Sequence, residues 1–147
     1  MNDNEIKTFL QNSKTIAMIG VSSEKKGEDP KNLKRKPANV VMKYMQDFGY
    51  KVYPINPFAE GELINGEKIH SSLESISDTI DIVDVFRPSK EAPDIVKQSI
   101  DIGTNTFWLQ LGISNQKARN IAKSADINFI QNKCIKIEHQ RLFNKEF

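Results

Sequence analysis

The sequence has one cysteine, Cys134, and two histidines, His70 and His139, among 147 residues. A lone thiol cannot close an internal disulfide, so a reducing, cytoplasmic setting is the expectation. These few ligands at wide spacing also argue against a structural zinc site. No apolar run approaches the roughly 20 residues that cross a bilayer. The opening MNDNEIKTFLQNSK is acidic and amide-rich where a secretory leader would be basic and then apolar. Internal repeats and low-complexity stretches are missing too. The hydrophobic fraction of 38% and charged fraction of 27% are ordinary. Together they predict one domain, 1–147, with a single core.

The net charge of +2 is unevenly placed. Between Glu24 and Pro37 stand Lys25, Lys26, Lys31, Lys34, Arg35 and Lys36 against Glu24, Glu28 and Asp29. The rest of the chain is close to neutral. Such a cluster serves either as a solvated loop or, beside a phosphate cradle, as an anion site. It lacks the interleaved aromatics of a stacking platform, which argues against nucleic acid.

The chain turns on Ile16–Ser23. Ile16, Ala17, Met18 and Ile19 fit a strand buried on both faces, and Gly20 then permits a tight turn beside the hydroxyls of Ser22 and Ser23. That pattern fits a phosphate cradle and equally a plain strand-to-helix turn. A short helix over 3–12, with Asp3 as cap, precedes it. Pro37 suits a first helical position, and Val40, Val41, Tyr44, Met45 and Phe48 recur at helical spacing up to Gly49. Further strands read over 51–56, 81–86, 106–111 and 127–130. Ser71 and Glu74 suggest a capping box. Ser89 and Ser114 suggest caps for helices that follow the third and fourth strands, and the tail 131–147 has room for a last helix.

Strands alternating with helices predict a doubly wound parallel α/β sheet of about five strands. The order 3-2-1-4-5 would put the topological switch between the first and fourth strands. Ligands lie at that switch, outside the carboxyl ends. Those ends offer Gly20–Ser23, Asn56–Pro57, Phe86–Pro88 and Gln110–Gly112. Pro54 and Pro57 suggest a flat wall for a base, or only a stiff rim. Phe86 offers a ring and Arg87 a guanidinium for stacking or phosphate. Gln110 and Gly112 are further site candidates, whereas Trp108 reads as core.

A dinucleotide site of the NAD type wants G-x-G-x-x-G and an acidic side chain at the end of the second strand. Here Gly20 is followed by Val21, Ser22 and Ser23, and the second strand ends on Asn56. A small NAD(P)-dependent oxidoreductase is therefore the alternative, not the first reading. A nucleotide P-loop is missing as well.

The blocks IAMIGVSS, KPANVVMKYMQDFGYKVYPINP, IDIVDVFRPS, FWLQLGI and NKCIKIEHQRL, in that order, resemble the small stand-alone CoA-binding protein family. Its domain is similar to the N-terminal CoA-binding domain of the succinyl-CoA synthetase α subunit. The resemblance covers about 14–142. It implies a Rossmann-like fold with coenzyme A, or an acyl-CoA, across the strand ends. Carried over by position, Gly20, Val21 and Ser22 would face the ligand, Lys36 would meet phosphate, and Asn56, Pro57, Phe86 and Arg87 would follow. The loop 23–35 is longer than the family's, which leaves open whether Lys25, Lys26, Lys31, Lys34 or Arg35 reach the ligand.

No catalytic constellation is expected. The synthetases pass a phosphoryl group through a histidine of a second domain, which this sequence is expected to lack. His70 and His139 read as surface residues. Cys134 and Glu138 share a helical face, yet no oxyanion donor accompanies them. Asp81 and Asp84 make no acid–base pair. The resulting expectation is a non-catalytic binding or regulatory module, with a partner enzyme as one role for it.

Overall fold

The computed structural model describes residues 2–23 and 37–143, so the basic cluster at 24–36 lies outside them. Along the chain run α1 (Asp3–Asn12), β1 (Thr15–Ile19), α2 (Pro37–Asp47) and β2 (Lys51–Ile55). A hairpin follows, β3 (Leu63–Ile64) with β4 (Glu67–Lys68). Then come β5 (Ile82–Val85), α3 (Ala92–Asp101), β6 (Thr106–Leu109), α4 (Gln116–Ser124), β7 (Asn128–Ile130) and α5 (Ile135–Phe143).

Five of the strands form one parallel sheet in the order β2-β1-β5-β6-β7. The doubly wound architecture is the expected one. The order is not. The third sheet strand along the chain, β5, pairs with β1 rather than lying beyond β2. Two local features close off the outer edge of β2. Pro54 has no N–H to give to a ladder. The backbone of His70 already occupies that edge, donating to the Pro54 carbonyl and accepting from the Asn56 N–H, both at 2.9 Å. The topological switch therefore falls between β1 and β5.

Buried strand residues alternate between two layers. Ile16, Met18, Ile82 and Trp108 face α1, α2 and α5, where Ile6, Leu10, Met42, Met45 and Ile135 meet them. Ala17, Val83, Val85, Phe107 and Leu109 face α3 and α4 through Ile95, Val96, Ala118 and Ala122. Each such large side chain contributes roughly 1.5–3 kcal/mol on full burial. Trp108 is core as expected, and its indole N–H donates to the Lys133 carbonyl at 2.7 Å.

Several helix starts differ by a residue from the expected ones. Asn2, not Asp3, caps α1, in a reciprocal box with Glu5. Asn115, not Ser114, caps α4. Ser89 opens a single 3₁₀ turn, and its backbone and hydroxyl oxygens bind Asn115 and Ser114 of the α4 approach. The Ser71–Glu74 box does not form; residues Leu73–Ser75 make one 3₁₀ turn without a side-chain cap. The final helix exists, and Arg141 of α5 grips Asp3 of α1 through two contacts of 2.7 and 2.8 Å.

Candidate functional site

At the switch point β1 is followed by Gly20, with φ +104°. A Cβ there would stand 2.7 Å from the Phe86 carbonyl oxygen. Glycine is thus needed twice, for the dihedral and for the close approach of the β1 and β5 backbones. The turn after it is held from two sides by asparagines. Asn39, in the first turn of α2, accepts from the Ser22 N–H at 3.2 Å and donates to the Ser22 carbonyl at 3.1 Å. Asn56 donates to the Val21 carbonyl at 3.0 Å and accepts from the Phe58 N–H at 2.9 Å. The chain 20–22 is pinned before any ligand arrives.

Two hollows open from this turn and share Gly20, Ser22 and Arg87. One, of about 630 Å³, lies between the ends of β1, β5 and β6 and the helices α2 and α5. Its walls are chiefly apolar, from Ala38, Val41, Phe86, Leu111, Ile113 and Ile137. The other, of about 530 Å³, lies between the end of β2 and α3. Its lining is more polar, with Asn56, Ser71, Ser72 and Gln98 beside Pro57 and Phe58. Both sizes suit a small-molecule site.

Arg87 stands at the waist, where its guanidinium forks onto Glu91 at 3.0 and 2.8 Å. That bidentate pair raises the Arg87 pKa and lowers that of Glu91. The N-terminus of α2 also faces the apolar lobe through Pro37, Ala38 and Asn39. No acidic residue occupies its first turn, where the helix dipole places a partial positive charge.

The expected site residues divide clearly. Gly20, Ser22, Asn56, Pro57, Phe86, Arg87 and Gln110 converge on the crevice. Asn56, however, spends its amide on backbone, and the Gln110 side-chain oxygen accepts from the Ile135 N–H at 3.1 Å. Pro54 does not reach the crevice; it is buried inside β2, so the wall of two prolines is really Pro57 with Phe58. Val21 is buried, and Ser23 is buried with its hydroxyl on Glu62 at 2.7 Å. Gly112 lines neither lobe and donates to Asn132 at 2.7 Å. Lys34, Arg35 and Lys36 lie outside the described residues.

Two participants and one buried neighbour were not expected. Asn39 reads as one polar residue on an amphipathic helix, and only the return of the 20–22 turn against it reveals its role. Phe58 follows the Asn-Pro pair and is 82% exposed, a signal available to anyone who asks why an aromatic sits beside a turn. Asp84 is fully buried with neither carboxylate oxygen hydrogen-bonded, and burial holds its pKa well above the usual range. It sits in register between Met18 and Trp108, one pleat below the Gly20–Phe86 rim. By contrast Asp81 takes the backbone N–H groups of Lys14 and Thr15 at 2.7 and 3.2 Å.

The histidines correct one expectation. His139 is buried, not on the surface, with its Nδ1 2.8 Å from the Tyr44 hydroxyl. Tyr44, Phe48, Tyr50 and Phe143 surround it. Cys134 borders the apolar lobe, but the Glu138 carboxylate pairs with Arg141 at 2.7 Å instead of serving the thiol. Among the described residues no cluster of three or more His, Cys, Asp or Glu side chains could hold a metal. No helix among them is long and apolar enough to cross a membrane.

A five-stranded parallel sheet with a glycine turn and a crevice at its switch point defines a Rossmann-like α/β domain. The chain belongs to the CoA-binding domain family, which it matches over residues 14–140. It is 36% identical over 135 residues to the uncharacterized protein YneT of Bacillus subtilis, covering 92% of each. The solved structure of cell-free ID.343 from Thermus thermophilus superposes with a TM-score of 0.85 at 35% identity, covering 97% of this chain and 100% of that one. The ADP-forming acetate–CoA ligase of Methanocaldococcus jannaschii is 27% identical over 143 residues, and 92% of this chain spans 19% of that enzyme.

Proposed function

We propose that the crevice binds coenzyme A or an acyl-CoA and that the chain acts as a non-catalytic binding or regulatory module. The observation that carries this reading is the two-lobed crevice astride a pinned glycine turn. A long amphiphilic ligand with a polar nucleoside at one end, anionic phosphates in the middle and an apolar tail matches that division. Phe58 and Pro57 offer a stacking face for a base, and Ser71, Ser72 and Gln98 offer partners for ribose. The α2 N-terminus and Arg87 offer the positive waist. From the basic cluster, Lys34, Arg35 and Lys36 are proposed phosphate partners. Family membership and similarity to part of a CoA ligase support the same ligand. NAD(P) is not favoured, since the end of β2 brings Asn56 and no carboxylate.

The non-catalytic reading is supported by acid–base groups that are otherwise engaged. Glu138 is committed to Arg141, and His139 to Tyr44 inside an aromatic cluster. The test is thermal stabilisation by CoA, NADH and ATP at matched concentration. A ligand at 100 times its Kd adds about 2.7 kcal/mol of stability. CoA should raise the midpoint most; a shift with NADH and none with CoA overturns the reading.

A further inference from the structure

The two lobes are unlike in a way that a bare thiol does not explain. The apolar lobe, of about 630 Å³, is the larger of the two. The pantetheine arm enters it first, and its two amides are a poor match for so apolar a wall. Phe86 and Ile113 wall it from the strand ends, and two large apolar side chains stand exposed at its edge, Leu111 at 64% and Ile137 at 48%. Exposed apolar groups gathered around one hollow mark a surface that an apolar ligand covers. Several of its polar groups are already engaged. Gln110 turns its oxygen to the Ile135 N–H, and Arg87, the one cation among the described lining residues, is forked onto Glu91.

We propose that this lobe holds the acyl chain of the ligand, and that the preferred class is a thioester of an uncharged, straight-chain acyl group longer than acetyl. This rests on the reading that CoA occupies the crevice, and adds to it which CoA derivative is held. Both lobes meet at Gly20 and Ser22, so a ligand whose phosphates cross that turn with its base against Phe58 sends its other end into the apolar lobe. Among the described residues, a terminal carboxylate there would lose hydration without gaining a free cation.

Calorimetric titration of the full chain with CoA, acetyl-CoA, hexanoyl-CoA and succinyl-CoA at one salt concentration tests this. Burial of hydrocarbon corresponds to about fourfold in affinity per methylene. Hexanoyl-CoA should therefore bind more than tenfold tighter than acetyl-CoA, and succinyl-CoA no tighter than acetyl-CoA. Equal affinity for acetyl- and hexanoyl-CoA, or a preference for succinyl-CoA, overturns the acyl assignment while leaving the CoA reading intact. Failure of all four to bind overturns both. Ile137→Glu, at an exposed position on α5, should bring the ratio of hexanoyl-CoA to CoA affinity towards one; an unchanged ratio places the acyl chain elsewhere and overturns the assignment.

Discussion

Phe58 is an aromatic ring left in water by a backbone that has no freedom to withdraw it. Its N–H is fixed on Asn56, and Pro57 before it restricts the approach. An exposed ring contributes little to folding, and the proposed ligand would give it a base to stack on. Base–aromatic stacking amounts to about 1–3 kcal/mol per base. Phe58→Ala should weaken CoA binding by roughly that amount, about five- to a hundredfold, with the unliganded melting temperature unchanged. Titration calorimetry beside a melting curve checks both halves; unaltered affinity removes Phe58 from the site. At this scale the sequence was legible where a residue's chemistry matched its place. Gly20, Pro57 and Arg87 sit where the pattern put them. Pro54 and His139 did not, because burial is decided by what packs above a residue, and neighbours in sequence do not report it.

The segment from the end of β5 into α3 carries the main electrostatic device of the crevice. Arg87 follows the strand, Glu91 comes four residues later through the 3₁₀ turn Ser89–Glu91, and their side chains meet at the waist. Both are partly exposed, so the pair adds little stability. Its consequence is for anions: Glu91 offsets the one described cation that faces both lobes. Glu91→Gln should tighten CoA binding several-fold and steepen its salt dependence, read from calorimetric titrations at two ionic strengths. Weaker binding would show instead that Glu91 holds Arg87 in its working position. Elements themselves were largely legible, since α2 and β1 announce their period and their breakers. The caps were not, because Asn2, Ser89 and Asn115 are chosen among adjacent polar residues by tertiary contacts. The β3–β4 hairpin was missed because two residues per strand show no period.

For the whole molecule, the buried titratable groups set opposing slopes of stability with pH. Asp84 keeps its proton in the folded chain at pH values where the unfolded chain has lost it, above the ordinary 3.8. Folded protein then binds more protons than unfolded, and stability falls as pH rises. His139 is the reverse: burial lowers its pKa below 6.5, so the unfolded chain binds more protons and stability rises towards that pH. Asp84→Asn removes the falling branch. The variant should gain on the parent as pH climbs from 4.5 to 7.5, with a slope of at most about 1.4 kcal/mol per pH unit. Denaturant midpoints across that range decide it, and parallel curves for the two proteins would mean that Asp84 is ionised in the fold.

By itself the sequence determined the alternation of strands and helices, the glycine turn after the first strand and the family resemblance, because periodicity, breakers and motif order are local properties. Only the tertiary structure decided the strand order, the asparagine clamps on the turn, the split between polar and apolar lobes and the orphaned Asp84. Each of these depends on which distant segments share an edge or a face. The His70 backbone closing the edge of β2 is the plainest case: a contact between residues 15 positions apart sends the third sheet strand to the other side of β1, and with it moves the switch point.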